Sequence, residues 1–277
     1  MNILKEVYFE IICLLLFMSS IESGSFTPED AAFAFQRCRN ISNANTDLKE
    51  MWAFWKFPDK KETHCYVKCF LEKLGLIDLV SRGLDANKIF QQIDENDLST
   101  EESDFWDILE VDLSGTCKSY YTKWMQMNER FPHIFRKAFY GSEKDIKYFY
   151  QANPYGAKRR GMTAIDFCIS SSQTENDNDY NAPSEPQCYW ECVFIHFRYF
   201  DAYGRVDRNE VVSSFKDYDG NVASSNLEDI NACVHQSNEE YSLGWCQVAN
   251  ALYNCLISRI HYSPEVFTKR NTWTASY

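Results

Sequence analysis

Two cysteines four positions apart occur twice in this chain, at Cys65 and Cys69 and again at Cys188 and Cys192. On a helix, positions four apart share one face, so each pair can tie a single helix to two different neighbours. The second pair sits in a frame of Cys168, Cys188, Cys192, Cys233, Cys246 and Cys255, with gaps of 19, 3, 40, 12 and 8 residues. The first sits in a lighter frame of Cys38, Cys65, Cys69 and Cys117, with gaps of 26, 3 and 47. The halves align if the first lacks the fourth and sixth cysteines, which makes the frame an internal repeat. The pairing expected is first to third and second to fifth, with fourth to sixth in the fuller copy: Cys38–Cys69, Cys65–Cys117, Cys168–Cys192, Cys188–Cys246 and Cys233–Cys255. Spacing alone leaves other connectivities open. Loops of this length give each bridge about 3 to 4 kcal/mol through restriction of the unfolded chain.

Disulfides belong to oxidising compartments, and the amino terminus agrees. Lys5 precedes an apolar run through Ile11, Ile12 and Leu14 to Phe17, followed by Ser19, Ser20, Ser23 and Gly24. Residues 1–24 read as a secretory signal peptide cut near Ser23 or Gly24, because the apolar run is short and interrupted by Glu10. Cys13 leaves with the signal, so ten cysteines remain, an even count that points to disulfides and away from a reduced metal site or a lone catalytic thiol. One Lys and three Glu leave too, taking the formal charge from -12 to -10. An acidic, exported chain of this kind is expected to bind neither nucleic acid nor membrane.

Helical patterning runs through both halves. Thr27 before Pro28, with Glu29 and Asp30 behind, marks a helix start, and that helix should run to about Cys38. Val67, Phe70, Leu71 and Leu74 recur at helical spacing before a stop at Gly75. Ser99 to Glu102 forms a second capping signal, Phe131 to Phe139 another amphipathic helix, Asp207 to Glu210 a further start, and Trp245 to Ile260 the last strong pattern. Sustained period-two alternation is missing, so the fold class is all-α: two tandem disulfide-stapled helical domains over residues 25–152 and 153–277. Asn153 to Gly161 reads as the linker, and the polar stretch Ser171 to Pro186 as an exposed loop. The sequon Asn40-Ile41-Ser42 marks Asn40 as a glycosylation acceptor.

The chemistry is that of binding, not catalysis. None of the five histidines forms HExxH, and phosphate-loop, dinucleotide and GxSxG signatures are absent, so no enzyme, metal or cofactor is expected. Asp201 to Asp207 faintly suggests a calcium loop, but Tyr203 and Arg205 stand where oxygen ligands are required, so it reads as a helix-helix turn. Aromatic residues make up 16% of the chain, and Trp52, Trp55, Tyr66, Phe70 and Trp124 gather around the first frame, with Phe35 close before it. A disulfide-braced helical shell rich in aromatics can hold an apolar ligand. Lys158, Arg159 and Arg160 form a basic cluster in the linker that could pair with a ligand carboxylate.

The second frame, with its gaps of 3 and 8 and the stretch Phe197 to Asp207, resembles the six-cysteine insect odorant-binding proteins. More specifically, Phe33 to Cys38, Trp52, Trp55, the run His64 to Cys69, and Asn153-Pro154 before Lys158 to Gly161 resemble the long-form D-seven salivary proteins of blood-feeding flies. The resemblance implies two linked odorant-binding-like domains, secreted in saliva, that capture host mediators. It implies that the first domain takes cysteinyl leukotrienes and thromboxane A2, with Phe35, Trp52, Trp55, Tyr66, Phe70 and Trp124 around the lipid and Lys158, Arg159 and Arg160 at its carboxylate. Tyr66 matches a tyrosine that accompanies thromboxane binding in that family. Many mosquito members bind biogenic amines in the second domain with acids beyond the last cysteine. Here the tail after Cys255 offers only Glu265, which argues against an amine site.

The expectation is a monomeric scavenger of small host mediators, foremost eicosanoids. The rival readings are a carrier of neutral odorants or pheromones, a biogenic-amine binder, and an inhibitor that blocks a clotting or kinin factor through the acidic surface.

Overall fold

The computed structural model describes residues 26–96, 114–141, 144, 164–174, 189–219, 222–240 and 244–260. Among the described residues the chain forms α1 (Pro28–Ile41), α2 (Thr46–Ala53), α3 (Lys61–Lys73), α4 (Ala86–Asp94), α5 (Cys117–Arg130) and α6 (Pro132–Phe139) in the first half. The second half contributes α7 (Ala164–Thr174), α8 (Tyr189–His196), α9 (Arg208–Asp219), α10 (Ser224–Glu239) and α11 (Trp245–Ile260). Extended pairing among these residues is confined to two isolated bridges, Ile77 with Leu84 and Phe200 with Val206. The all-helical expectation holds.

Local signals set the helix ends. Thr27 Oγ1 accepts from the Asp30 amide while the Asp30 carboxylate accepts from the Thr27 amide, so two of the amides left over at the start of α1 are satisfied reciprocally. The expected start at Asp207 and the pattern from Trp245 to Ile260 coincide with α9 and α11. One boundary differs: residues 171–174 continue α7 and do not open the polar loop. Once a helix is nucleated each added residue contributes a hydrogen bond, so a polar stretch can prolong it for a turn. The capping signal at Ser99 to Glu102, the linker Asn153 to Gly161 and the expected domain boundary lie outside the described residues.

Each half has its own hydrophobic cluster. The first centres on Trp52, Phe70, Trp124, Phe135 and Phe139, the second on Phe194, Phe197, Tyr199, Phe215 and Leu252. Disulfides brace both: Cys38–Cys69 joins α1 to α3, Cys65–Cys117 joins α3 to α5, Cys168–Cys192 joins α7 to α8, and Cys233–Cys255 joins α10 to α11. Cys246 is also disulfide-bonded, and its expected partner Cys188 lies outside the described residues.

The repeat is visible bond for bond after the paired cysteines. The amide of Leu76 donates to the carbonyl of Leu71, and that of Tyr199 to Phe194, both at 2.9 Å. The amides of Asp85 and Asp207 close the next loop by donating to Leu76 and Tyr199, and these two aspartates precede α4 and α9. Gly75 and Arg198 occupy the same place in this device, with φ of 68° and 58°.

The halves pack through charged side chains. Lys73 Nζ lies 2.6 Å from Asp207 Oδ2 and 3.1 Å from Glu210 Oε1, and Arg37 Nε reaches the same Glu210 oxygen at 2.8 Å. Arg198 pairs with Asp30 at the start of α1, and the Tyr203 hydroxyl donates to the Ile77 carbonyl at 2.7 Å. Burial pushes the Lys73 ammonium down, but Asp207 and Glu210 more than reverse this and hold it above its ordinary value. Glu210 is almost fully buried, so these cations compensate a carboxylate removed from water.

Candidate functional site

All six aromatic residues expected to surround a ligand are buried and meet in the first half. They converge because α1, α2, α3 and α5 each turn an apolar face inward, and the two bridges on α3 fix α1 and α5 against it. Phe35 on α1 stacks on Phe70 of α3 with ring centres 4.5 Å apart and lies 5.3 Å from Trp55. Trp52 stacks on Tyr66 at 4.1 Å with the planes 4° apart. Trp124 of α5 meets Phe70 edge-on at 5.1 Å and Trp55 at 6.3 Å. Such pairs contribute about 0.5 to 1.5 kcal/mol each beyond their buried area.

Polar atoms within the cluster fall into two groups. Trp52 Nε1 donates to Thr63 Oγ1 at 3.1 Å, and Trp55 Nε1 to Asn128 Oδ1 at 2.8 Å. These bonds fix two indole planes. Trp55 itself has φ of 60°, a left-handed conformation that the indole bond and the surrounding rings hold in place. By contrast, the buried Trp124 Nε1 has no hydrogen-bond partner among the described residues, and neither has the Tyr66 hydroxyl. Burial pushes the Tyr66 phenol far above its ordinary value, with Arg39 pulling down and Tyr140 pushing up. The hydroxyl therefore stays protonated, a donor within an otherwise apolar cluster.

Sequence reading missed several members of the cluster. Phe57 lies 5.1 Å from Trp55, Tyr140 lies 5.4 Å from Trp55 while its hydroxyl donates to the Ala53 carbonyl, and Phe135 and Phe139 back Trp124. Phe57 follows Trp55 by two positions in the loop between α2 and α3, where no periodicity marks it, so in the sequence it stands out no more than any other ring. Lys158, Arg159 and Arg160 lie outside the described residues. Asn40 is exposed in the last turn of α1, where its side-chain amide is open to solvent.

Two further features bear on chemistry. Cys168, Cys192 and His196 come within metal-ligand reach of one another, but both cysteines are spent on one disulfide, which leaves the imidazole as the single ligand of that group. Among the described residues no helix is long and apolar enough to cross a membrane.

The described residues thus form a helical shell with disulfide bracing and an aromatic interior. The chain belongs to the PBP/GOBP family, whose model matches residues 25–106 and 164–259, one stretch in each half. Within it, the chain is 28% identical over 251 residues to the long form salivary protein D7LC of Phlebotomus papatasi, covering 89% of this chain and 90% of the relative. Among solved structures it is similar to the D7 protein from Phlebotomus duboscqi, with TM-score 0.63, 21% identity, and coverage of 91% of this chain and 98% of that one. It also matches an AeD7 complex with leukotriene E4, with TM-score 0.65, 18% identity and coverage of 89% and 88%. A complex of AnSt-D7L1 with the thromboxane analogue U46619 matches at TM-score 0.63 and 20% identity, covering 88% and 85%. At these identities the structural likenesses establish the fold. The relatives are binding proteins: the Phlebotomus papatasi relative is named a salivary protein, and the AeD7 and AnSt-D7L1 structures hold small molecules.

Proposed function

We propose that this chain is a secreted salivary scavenger that captures host eicosanoids in its first half and so opposes haemostasis and inflammation. The observation that carries the reading is the aromatic cluster with a protonated hydroxyl, that of Tyr66, which has no partner among the described residues and is set among Trp52, Phe35 and Phe70. Rings of this kind suit a polyunsaturated chain, and the hydroxyl offers a hydrogen bond to an oxygen part way along it. Relatives of the same fold were solved with leukotriene E4 and with a thromboxane analogue. Capture is stoichiometric and not catalytic, by a monomer, so affinity must be high: nanomolar binding corresponds to about -12 kcal/mol. Burial of a lipid tail at roughly 0.8 kcal/mol per methylene supports that scale once ordering costs are met. Lys158, Arg159 and Arg160 are the cations assigned to the lipid carboxylate.

The direct test is calorimetric titration of the mature protein with leukotriene E4 and with the thromboxane analogue. Saturable binding at a ratio of one to one supports the reading, and no heat at micromolar concentrations overturns it.

A further inference from the structure

The disulfides that lie wholly within the described residues differ in what covers them. Cys38, Cys168 and Cys233 are buried, so three bridges hide at least one end, and a thiol reaches them only after local opening. Cys65–Cys117 has neither end buried: Cys65 is exposed on α3 and Cys117 is half-buried.

Its two sulfurs are also unequal. Cys117 is the first residue of α5, directly after the capping Thr116, so the helix dipole and the amides left over at that start favour a thiolate there. Cys65 lies one turn inside α3, past its free amides. Thiol–disulfide exchange is faster when the departing thiolate is stabilised. Exposure directs an incoming thiol to Cys65, and the helix start makes Cys117 the sulfur that leaves.

The surrounding charges select the thiol. Lys61 precedes Cys65 by four positions and Lys68 follows it by three, so both share its face of α3, while Lys118 adjoins Cys117. Lys61 and Lys118 are exposed, with no carboxylate partner among the described residues. Of the acids nearby, Glu72 is taken up by Lys68 at 3.5 Å and Asp59 by His64 at 2.6 Å, which leaves Glu62. The bridge therefore has a cationic setting in a chain of formal charge -12.

We propose that Cys65–Cys117 is an exchange site for a small acidic thiol, and that exchange unlocks α5 from α3. The incoming thiolate attacks Cys65 Sγ, a new disulfide forms there as the old one breaks, and the electron pair leaves on Cys117 Sγ. One disulfide replaces another, so no further oxidant or reductant is consumed. The Tyr121 hydroxyl still donates to the Phe57 carbonyl at 2.8 Å and Trp124 still meets Phe70, but the first turn of α5 loses its covalent tie. Tyr66 adjoins Cys65, and Trp124 lies two turns after Cys117 on the same helix face, so exchange loosens the aromatic cluster. Release of a lipid from that cluster rests on the eicosanoid reading above; the exchange itself does not.

The test incubates the full mature protein with reduced glutathione, traps free thiols with iodoacetamide and maps both groups by mass spectrometry. Glutathione should appear on Cys65 and the alkyl group on Cys117, at least about tenfold faster than at Cys38–Cys69, Cys168–Cys192 or Cys233–Cys255. At low salt and equal thiolate concentration, glutathione should outpace the cationic thiol cysteamine about threefold, and Lys61→Glu with Lys118→Glu should reverse that order. Protein modified at Cys65 should melt about 5 to 10 °C lower. Glutathione found mainly on Cys117, equal rates at a buried bridge, equal rates for the two thiols, or an unchanged melting temperature overturns the proposal. Protein that binds leukotriene E4 at the outset should lose about tenfold in affinity on modification. Exchange at Cys65 in protein that never binds the lipid overturns the eicosanoid reading and leaves the exchange site standing.

Discussion

Arg198 stands where the first half has Gly75: each lies six residues after the second cysteine of its pair, and each takes a left-handed backbone. The position ends a helix and turns the chain, a task for which glycine has no steric cost. The second half accepts an arginine there, and its guanidinium reaches Asp30 in the other half. Local backbone comfort is given up for a long-range ion pair. Arg198→Ala should keep the strain and lose the pair, whereas Arg198→Gly loses the pair and relieves the strain. The glycine variant is therefore expected to be more stable than the alanine variant by about 1 kcal/mol, measured by urea unfolding.

Tyr66→Phe separates binding from stability. The hydroxyl has no partner to lose among the described residues, so the free energy of unfolding should move by less than about 0.5 kcal/mol. Affinity for the thromboxane analogue should fall about tenfold, and affinity for leukotriene E4 much less. Equal losses for the two lipids would remove Tyr66 from its assigned role.

Trp52→Ala tests whether the cluster is a packed body. Trp52 is fully buried and stacked on Tyr66, so the substitution should cost about 3 to 5 kcal/mol and abolish lipid binding together with it. Trp52→Phe, which keeps a ring, should recover most of the stability.

The contacts between halves predict the pH profile. Burial pushes the Asp30 carboxyl up, but Arg198 and the bonds from Thr27 outweigh it, so the folded value lies below the ordinary 3.8. A depressed carboxyl stabilises the fold fully above its unfolded value, and that contribution is lost as pH falls through the folded one. Lys73 is raised above its ordinary 10.5, so its contribution is complete below that value and lost as pH climbs through the folded one. Thermal midpoints should therefore be flat across neutral pH in respect of these two groups. Asp30→Asn should flatten the acid limb and Lys73→Met the alkaline limb, each leaving the other unchanged.

Glycine is indispensable at position 204. Its φ is 76°, and an added Cβ would run into the indole ring of Trp245. Gly204→Ala combines backbone strain with a clash and should cost about 2 kcal/mol or more, seen as a lower melting temperature.

The parts of the molecule legible in the sequence are those governed by short-range rules. Thr27, Pro28 and Asp30 announce their helix because a cap is made within four residues, and Gly75 announces its end for the same reason. The six aromatic residues could be grouped because the disulfide frame brings their helices together whatever the intervening loops do. Phe57 and Tyr140 escaped because their place depends on how a loop and the end of α6 fold back onto Trp55. Glu210 meeting Arg37 across 173 positions had no local signal at all.

Glu210 accepts from Arg37, the neighbour of Cys38, and from Lys73, one helical turn past Cys69, and those two cysteines form a single bridge. That bridge thus sets the spacing of a two-pronged grip on a carboxylate in the other half. Duplication of the frame has therefore not produced interchangeable modules. A chimera that joined this first half to a second half with no acid at this place would leave the two cations facing each other without their carboxylate, so the halves of this chain fit each other as a matched set.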